Sequence, residues 1–300
     1  MMRRGPLFYS TIPLRGTERA DTGGCLLFPY WSFTKTVIAI CALMLAERSR
    51  IDLDEAVVGR PFTLRQLLNH TAGLPDYGTL PAYHQAVASN EEPWSRDDLL
   101  RATLGQGMLF SPGCGWRYSN VGYMLARDRL EEAAGCAFPD LVESMIASRL
   151  GLKTLVLATT REQFSHVHWS GAQRYHPGWV YHGCLIGTAR EAALLLQALF
   201  TGELVTEASL RQMLTPVPLG GAMEGRPWTA CGYGLGLMIG RMGPAGRAIG
   251  HSGGGPVGVN ACYHFPDLPE TVTVATFADS PDEGRAEFEA LRQSGAPRMR

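Results

Sequence analysis

From Ser32 to Arg48 apolar residues fall on almost every helical face, with Val37, Ile38, Ile40, Ala42, Leu43 and Leu45 among them. A helix with so little polar surface is a buried one. Shorter amphipathic helices are predicted at 63–69, 96–104, 121–134 and 139–150, and again at 188–201 and 206–214. Thr188 followed by Glu191 matches a capping box. Residues 7–31 carry short apolar runs, at 7–9 and 25–30, broken by turn residues, and read as strands. Residues 160–187, rich in aromatics, His and Gly, read as irregular. After Tyr233 the period becomes that of strands, at 235–239, 247–250, 259–265 and 271–278, before a last helix over 282–293. Strands at both ends around a helical middle predict an α/β (α+β) fold, with one sheet built from the two termini. The implied division is a sheet subdomain from 1–50 and 229–300, with 51–228 inserted as a mainly helical subdomain.

Composition narrows the function without naming it. Of the 300 residues 45% are hydrophobic and 18% charged, and the formal net charge is -1 with no acidic or basic block. That balance speaks against electrostatic binding to nucleic acid or to an anionic membrane surface. No stretch is apolar enough to span a bilayer. Met1-Met2-Arg3-Arg4 could open a signal peptide, but Pro6, Ser10, Thr11, Pro13 and Arg15 interrupt the apolar region that should follow. A cytoplasmic protein is expected; an incomplete N-terminus would make it periplasmic. The seven cysteines, at 25, 41, 114, 136, 184, 231 and 262, show neither a CxxC pair nor zinc spacing with histidine. Reduced thiols, no metal and no cofactor are expected. Only Lys35 and Lys153 are lysines, so a lysine beside a serine is not drawn from a large pool.

Ser32-Phe33-Thr34-Lys35 opens the most apolar helix. Residues i and i+3 share a helical face, so hydroxyl and amine can touch. Burial lowers a lysine pKa toward that of a usable base, and a serine hydroxyl needs one. Tyr118-Ser119-Asn120 follows a Pro-Gly turn. In extended chain its first and third side chains point the same way, into one cleft. A phenol near an ammonium has reason to ionise, and an Asn amide can hold both lysine and substrate. His251-Ser252-Gly253-Gly254 ends a predicted strand whose glycines let a substrate backbone approach main-chain N–H groups. Taken singly, each motif has a plain structural reading, as a helix cap, a packed tyrosine or a glycine-rich bend.

In this order the three motifs resemble the serine β-lactamase and penicillin-binding-protein superfamily. Tyr-x-Asn and His-x-Gly look like its class C β-lactamase-related branch, which includes D-Ala-D-Ala carboxypeptidases, D-aminopeptidases and esterases. Residues 67–75, 233–237 and 250–256 are similar to it too, and the resemblance runs from about 22 to 280. It implies an antiparallel sheet flanked by helices, with the active-site cleft between sheet and inserted region. It implies an acyl-enzyme serine hydrolase of small esters, amides or β-lactams. Ser32 would be the nucleophile, Lys35 and Tyr118 the proton carriers. Asn120, His251, Gly253 and Gly254 would bind substrate, with the N–H groups of Ser32 and Gly254 as oxyanion hole. His70 and Gly73 read as turn-shaping residues. Trp31 stands where the family has a small residue, and the first elements of the usual sheet are expected to be shortened. The choice among ester, D-peptide and β-lactam stays open, as does the oligomeric state. Lack of an export signal and His251 in place of a lysine lean toward esters or small amides; a His251 that held a carboxylate would do so as pH falls through about 6.5. Two competing readings remain. Gly250-His251-Ser252-Gly253-Gly254 also fits the nucleophile elbow of an α/β-hydrolase, with Ser252 as nucleophile and His264 downstream. The other is a catalytically weakened homologue that only binds.

Overall fold

The computed structural model describes residues 5–15, 19–105 and 107–297. Strands form where β-branched, aromatic and small apolar residues run without a helical period. They are β1 (Leu7–Pro13), β2 (Ala20–Asp21), β3 (Phe28–Pro29), β4 (Val156–Ala158), β5 (Cys184–Gly187), β6 (Val217–Gly220), β7 (Ala230–Tyr233), β8 (Met238–Arg241), β9 (Arg247–Gly255), β10 (Gly258–Phe265) and β11 (Val272–Ala278). Eight of them make one antiparallel sheet in the order β2-β1-β11-β10-β9-β8-β7-β6. The N-terminal strand is thereby zipped to the C-terminal one, from Leu7 opposite Ala278 to Pro13 opposite Val272. β1 runs the length of β11, whereas β2 after it is only two residues long. A small second sheet, β3-β5-β4, lies just ahead of Ser32.

The central strands are buried on both faces, which is why they read as nearly continuous apolar runs. Val259, Ala261, Tyr263 and Phe265 of β10 turn to the side covered by Ala286, Ala290 and Leu291 of the helix Glu283–Gln293. Cys262, Ala275 and Phe277 turn to the opposite side, into the larger core shared with the helices Ala189–Phe200 and Thr34–Glu47. The stretch 51–228 supplies most of the helices and also sends β6 and the Ala189–Phe200 helix to the sheet. Thr34–Glu47 is buried from Thr34 through Leu45, as its unbroken apolar pattern requires. It packs along Asn120–Ala134 and is tied to the β7–β8 turn by Thr36 Oγ1, which donates to the Gly236 carbonyl at 2.6 Å. Among the described residues no helix is long and apolar enough to cross a membrane.

Several local expectations are corrected. The run 235–239 is not one strand: β7 ends at Tyr233, β8 begins at Met238, and the chain turns between them. Gly236 makes that turn, with φ at +67° and no room for a Cβ, which would stand 2.7 Å from the Lys35 carbonyl. Its apolar neighbours Leu235 and Leu237 are buried by the turn, not by a ladder. The expected helix 139–150 breaks into Phe138–Val142 and Ser148–Leu150 around a π turn. The irregular 160–187 holds β5 and the helix Arg161–Ser165, and Pro81–Ala88 is a helix not expected at all. At Thr188 only half the capping box forms. The hydroxyl accepts from the Glu191 N–H, but the Glu191 carboxylate instead binds the 153–154 backbone.

Ile40 is fully buried within the central helix. Ile40→Ala should cost about 2–5 kcal/mol of folding stability. Phe288→Ala, at a side chain 44% exposed on the outer helix, should stay within about 0.5 kcal/mol. Urea midpoints at constant m-value measure both, and equal losses would contradict this burial pattern.

Candidate active site

Ser32 lies in the one-turn 3-10 helix Trp31–Phe33 that leads into Thr34–Glu47. The small sheet fixes this entry: Tyr30 N–H donates to the Leu185 carbonyl at 2.8 Å, and Leu185 N–H to Thr34 Oγ1 at 3.1 Å. Asn260 Nδ2 adds a bond to the Pro29 carbonyl at 3.0 Å. Trp31 takes φ = +42°, a strained value for a bulky residue. Its ring packs edge-on against Tyr175 and fills the space over Gly255, where a Cβ would overlap the indole at 2.6 Å.

One turn past Ser32, Lys35 is completely buried. Its Nζ lies 3.1 Å from Ser32 Oγ, 2.7 Å from Asn120 Oδ1 and 3.1 Å from His182 Nε2. Burial lowers its pKa from 10.5 to about 7, and the charges of Asp76 and Glu283 keep it from falling further. Tyr118 Oη donates to Ser32 Oγ at 2.8 Å. Burial raises its pKa well above the usual 10, with the Ser32 bond pulling only partly the other way. The resting phenol is therefore protonated, against the expectation that a nearby ammonium would ionise it. His70, at φ = +63°, accepts from Ser119 N–H through Nδ1 at 3.1 Å, and its ring lies tilted against Tyr118 with centroids 4.4 Å apart.

Two partners carry no sequence signal of their own. Asp76, in the turn after Pro75, accepts from Asn120 N–H at 2.7 Å and from Asn120 Nδ2 at 3.0 Å. This pins the amide so that its oxygen, the only acceptor on it, faces Lys35. Burial raises the Asp76 pKa, opposed by the Asn120 bonds and by Lys35. His182 precedes β5, and β5 pairs with β3 just before Ser32. The strand thus carries His182 to Lys35 across 147 residues of sequence. Burial, then Lys35, pushes its pKa well below the usual value, so the ring is neutral.

His251, on β9, is 2% exposed. Its Nδ1 faces the Ser252 carbonyl and so carries the proton; its Nε2 accepts from Tyr233 Oη at 2.8 Å. With both nitrogens engaged, and burial holding its pKa at about 3, this ring does not gain charge near pH 6.5. The conditional carboxylate anchor, one that would strengthen as pH falls through about 6.5, is not offered by this ring. Gly253 passes so close that a Cβ would stand 2.7 Å from Ser32 N. Gly254 and Ser32 together line both cavities of the cleft, one of about 350 Å³ and one of about 550 Å³. A larger groove of about 720 Å³, around Asp54, Arg65 and Gln212, contains none of the motif residues. The elbow reading fails on geometry. Ser252 sits mid-strand, 2% exposed, with its Oγ bonded to Tyr263 and Glu287, and no helix follows it. His264 bonds Thr273 Oγ1 and stacks on Phe200 instead.

A family model described as Beta-lactamase matches residues 21–296. The chain belongs to the beta-lactamase family. It is 25% identical over 271 residues to penicillin-binding protein 4* of Bacillus subtilis, covering 80% of this chain and 58% of that protein. Over 159 residues it is 30% identical to esterase EstB of Burkholderia gladioli, covering 45% of this chain and 38% of the esterase. The fold also superposes on a D-stereospecific amidohydrolase from Streptomyces sp. with a TM-score of 0.80 and 25% identity, covering 96% and 94% of the two chains.

The neutrality of His251 is directly measurable. Its imidazole resonances in long-range ¹H–¹⁵N spectra should show the Nδ1–H form unchanged from pH 8.5 to 5.5. A titration centred near 6.5 would overturn the assignment.

Proposed function

We propose that this chain is a serine hydrolase working through an acyl-enzyme on a small ester or amide. The observation that carries the reading is that an amine and a phenol with oppositely shifted pKa values both reach Ser32 Oγ, at 3.1 and 2.8 Å. Lys35, neutral for much of the time near pH 7, takes the Ser32 proton as Oγ attacks the substrate carbonyl. Asn120 Oδ1 and His182 Nε2 accept the two N–H bonds of the neutral amine, which leaves its lone pair for Ser32. The N–H groups of Ser32 and Gly254 hold the oxyanion, and the strand around His251, Gly253 and Gly254 receives the substrate.

The proton balance closes over the two half-reactions. In acylation Ser32 gives its proton to Lys35 and Tyr118 gives its own to the leaving group. An ammonium and a phenolate remain, side by side. In deacylation the phenolate takes a proton from the attacking water, and Lys35 returns one to Ser32 Oγ as the ester breaks. Tyr118 is thus acid first and base second.

The names of relatives, an esterase and a D-stereospecific amidohydrolase, fit the ester and amide classes. A neutral His251 favours substrates without a carboxylate, so kcat/KM for a short neutral ester should exceed that for nitrocefin or a D-Ala-D-Ala peptide. All seven cysteines are free, three of them exposed, which fits the cytoplasmic reading. The binding-only reading predicts no covalent labelling at all.

A fluorophosphonate probe with peptide mass mapping should mark Ser32. Labelling at Ser252, or of no serine, would remove the proposal. With p-nitrophenyl butyrate, Lys35→Ala should lower kcat by about 10²–10⁴-fold. Lys35→Arg should not restore it, because a guanidinium cannot accept the proton. Since only the neutral amine acts as base, kcat/KM of the wild type should rise with pH through about 7 and level off above. A profile flat from pH 5.5 to 8.5 would remove Lys35 from the role of base.

A further inference from the structure

The two cavities meet at Ser32, Asn120 and Gly254, which line both. Their remaining walls differ in kind. The 350 Å³ side is lined by Tyr77, Tyr83, Tyr175, Val87 and Val180 and carries no acidic or basic side chain other than the imidazoles of His84 and His182. The 550 Å³ side holds Arg226 and Glu283. Tyr118 lines this second cavity and not the first. On the mechanism proposed above, Tyr118 protonates the leaving group. The leaving group therefore occupies the charged side and the acyl part the aromatic side.

The charge on the leaving-group side is settled by Glu287, which is completely buried. It binds Arg226 Nε at 2.6 Å and Nη2 as well, along with Trp228 Nε1 and the Ser252 and Tyr263 hydroxyls. Arg226 is thus neutralised from beneath. Its contact to Glu283, at 3.1 Å, is its second carboxylate. With both carboxylates ionised one negative charge is left in excess, and Glu283, whose pKa burial raises and Arg226 opposes, is the member whose side chain remains 35% exposed. A Cβ on Gly254 would stand 3.1 Å from Glu283 Oε1, so this carboxylate borders the residue assigned to the oxyanion hole. Neither neighbouring group offers a compensating cation: His251 is neutral, and Lys35 must be neutral to act as base.

We infer that Glu283 sets the substrate class on the leaving-group side, admitting uncharged or cationic leaving groups and rejecting those that end in a carboxylate. The inference rests on the hydrolase reading above and adds to it which half of the substrate is read by charge. Coulomb repulsion between a bound carboxylate and Glu283 in a partly wet cleft is large enough to shift rates about tenfold or more. Paired with the aromatic wall opposite, the fitting substrate is an aromatic or apolar acyl group on a neutral or cationic alcohol or amine.

Three phenylacetyl esters that share the acyl group test this: those of glycolate, glycolamide and choline, assayed at pH 8 where the carboxylates are ionised. In the wild type kcat/KM should rank choline above glycolamide above glycolate, and the spread should shrink in 0.5 M NaCl. In Glu283→Gln, which keeps the shape and removes the charge, the glycolate-to-glycolamide ratio should rise about tenfold. Glu283→Asp should keep the wild-type order. A ratio unmoved in Glu283→Gln, with all three esters still cleaved, would overturn the inference and leave the hydrolase reading standing. A wild type that cleaves none of them and takes no probe at Ser32 would instead overturn the reading beneath it. Should Glu283→Gln fail to fold, the wild-type ranking and its salt dependence decide alone: equal rates for glycolate and glycolamide at low salt would reject a role for Glu283.

Discussion

An amine held without solvent at the start of an apolar helix is the constraint on which the rest depends. Moving the Lys35 pKa from 10.5 to about 7 means the ammonium is disfavoured inside by roughly 5 kcal/mol relative to water. That cost is borne because each polar contact around Nζ serves both protonation states. Asn120 Oδ1 accepts from either, and Asp76 keeps the amide from flipping. Asp76 and Glu283 supply enough negative potential to stop the pKa from falling lower still. Without them the amine would be a weaker base than the proposed chemistry needs; with more solvent it would be an ammonium and no base at pH 7.

The sheet acts as a ruler for this amine. β9 must lie against the turn that bears Ser32, and Gly253 permits it, because any Cβ there would meet the Ser32 N–H. The strained Trp31 sits at the same crossing. Strain of this kind persists only where surrounding structure overdetermines it. Here that structure is the small sheet on one side, through Tyr30 and Leu185, and Asn260 on the other. β9 is anchored from behind by Ser252, whose hydroxyl reaches the buried Glu287. The serine that made an elbow plausible in sequence thus holds the strand that faces the real candidate nucleophile.

What was legible in the sequence is what local period and spacing encode. The buried helix announced itself by its unbroken apolar pattern, and Ser32 with Lys35 by one helical turn. Tyr118 and Asn120 could be placed together because extended chain repeats every two residues. Asp76 and His182 could not. Each lies far along the chain from Lys35, and each is an ordinary residue in a turn or an irregular stretch until the fold carries it inward. The same limit explains the local misses. Leu235 and Leu237 alternate as a strand would, yet Gly236 turns the chain there to pass the Lys35 carbonyl. Thr188 and Glu191 have capping-box spacing, but the carboxylate finds better donors in the 153–154 backbone. His251 reads in sequence as mostly uncharged at neutral pH; that its ring stays neutral well below pH 6.5 depends on burial and on Tyr233, which spacing does not report.

Burial also acts in opposite directions on the two groups that reach Ser32. Desolvation disfavours charge of either sign, so one dry environment pushes the amine down and the phenol up. At rest the phenol is neutral and the amine is neutral for much of the time near pH 7, and on the proposed mechanism Ser32 has a base on one side and an acid on the other. Neither could become charged alone without meeting the same penalty. If the serine proton moves to Lys35 and the phenol proton to the leaving group, the two charges appear together and screen each other across a few ångströms, with Nζ 4.9 Å from the Tyr118 ring. The burial that makes each ion costly in isolation makes the pair affordable, because Coulomb attraction strengthens as the dielectric falls. On the proposed mechanism, a site built this way couples attack to departure of the leaving group. On that proposal the chemistry also depends on the charge the leaving group brings, since an anion on the Tyr118 side would sit against the phenolate that forms there.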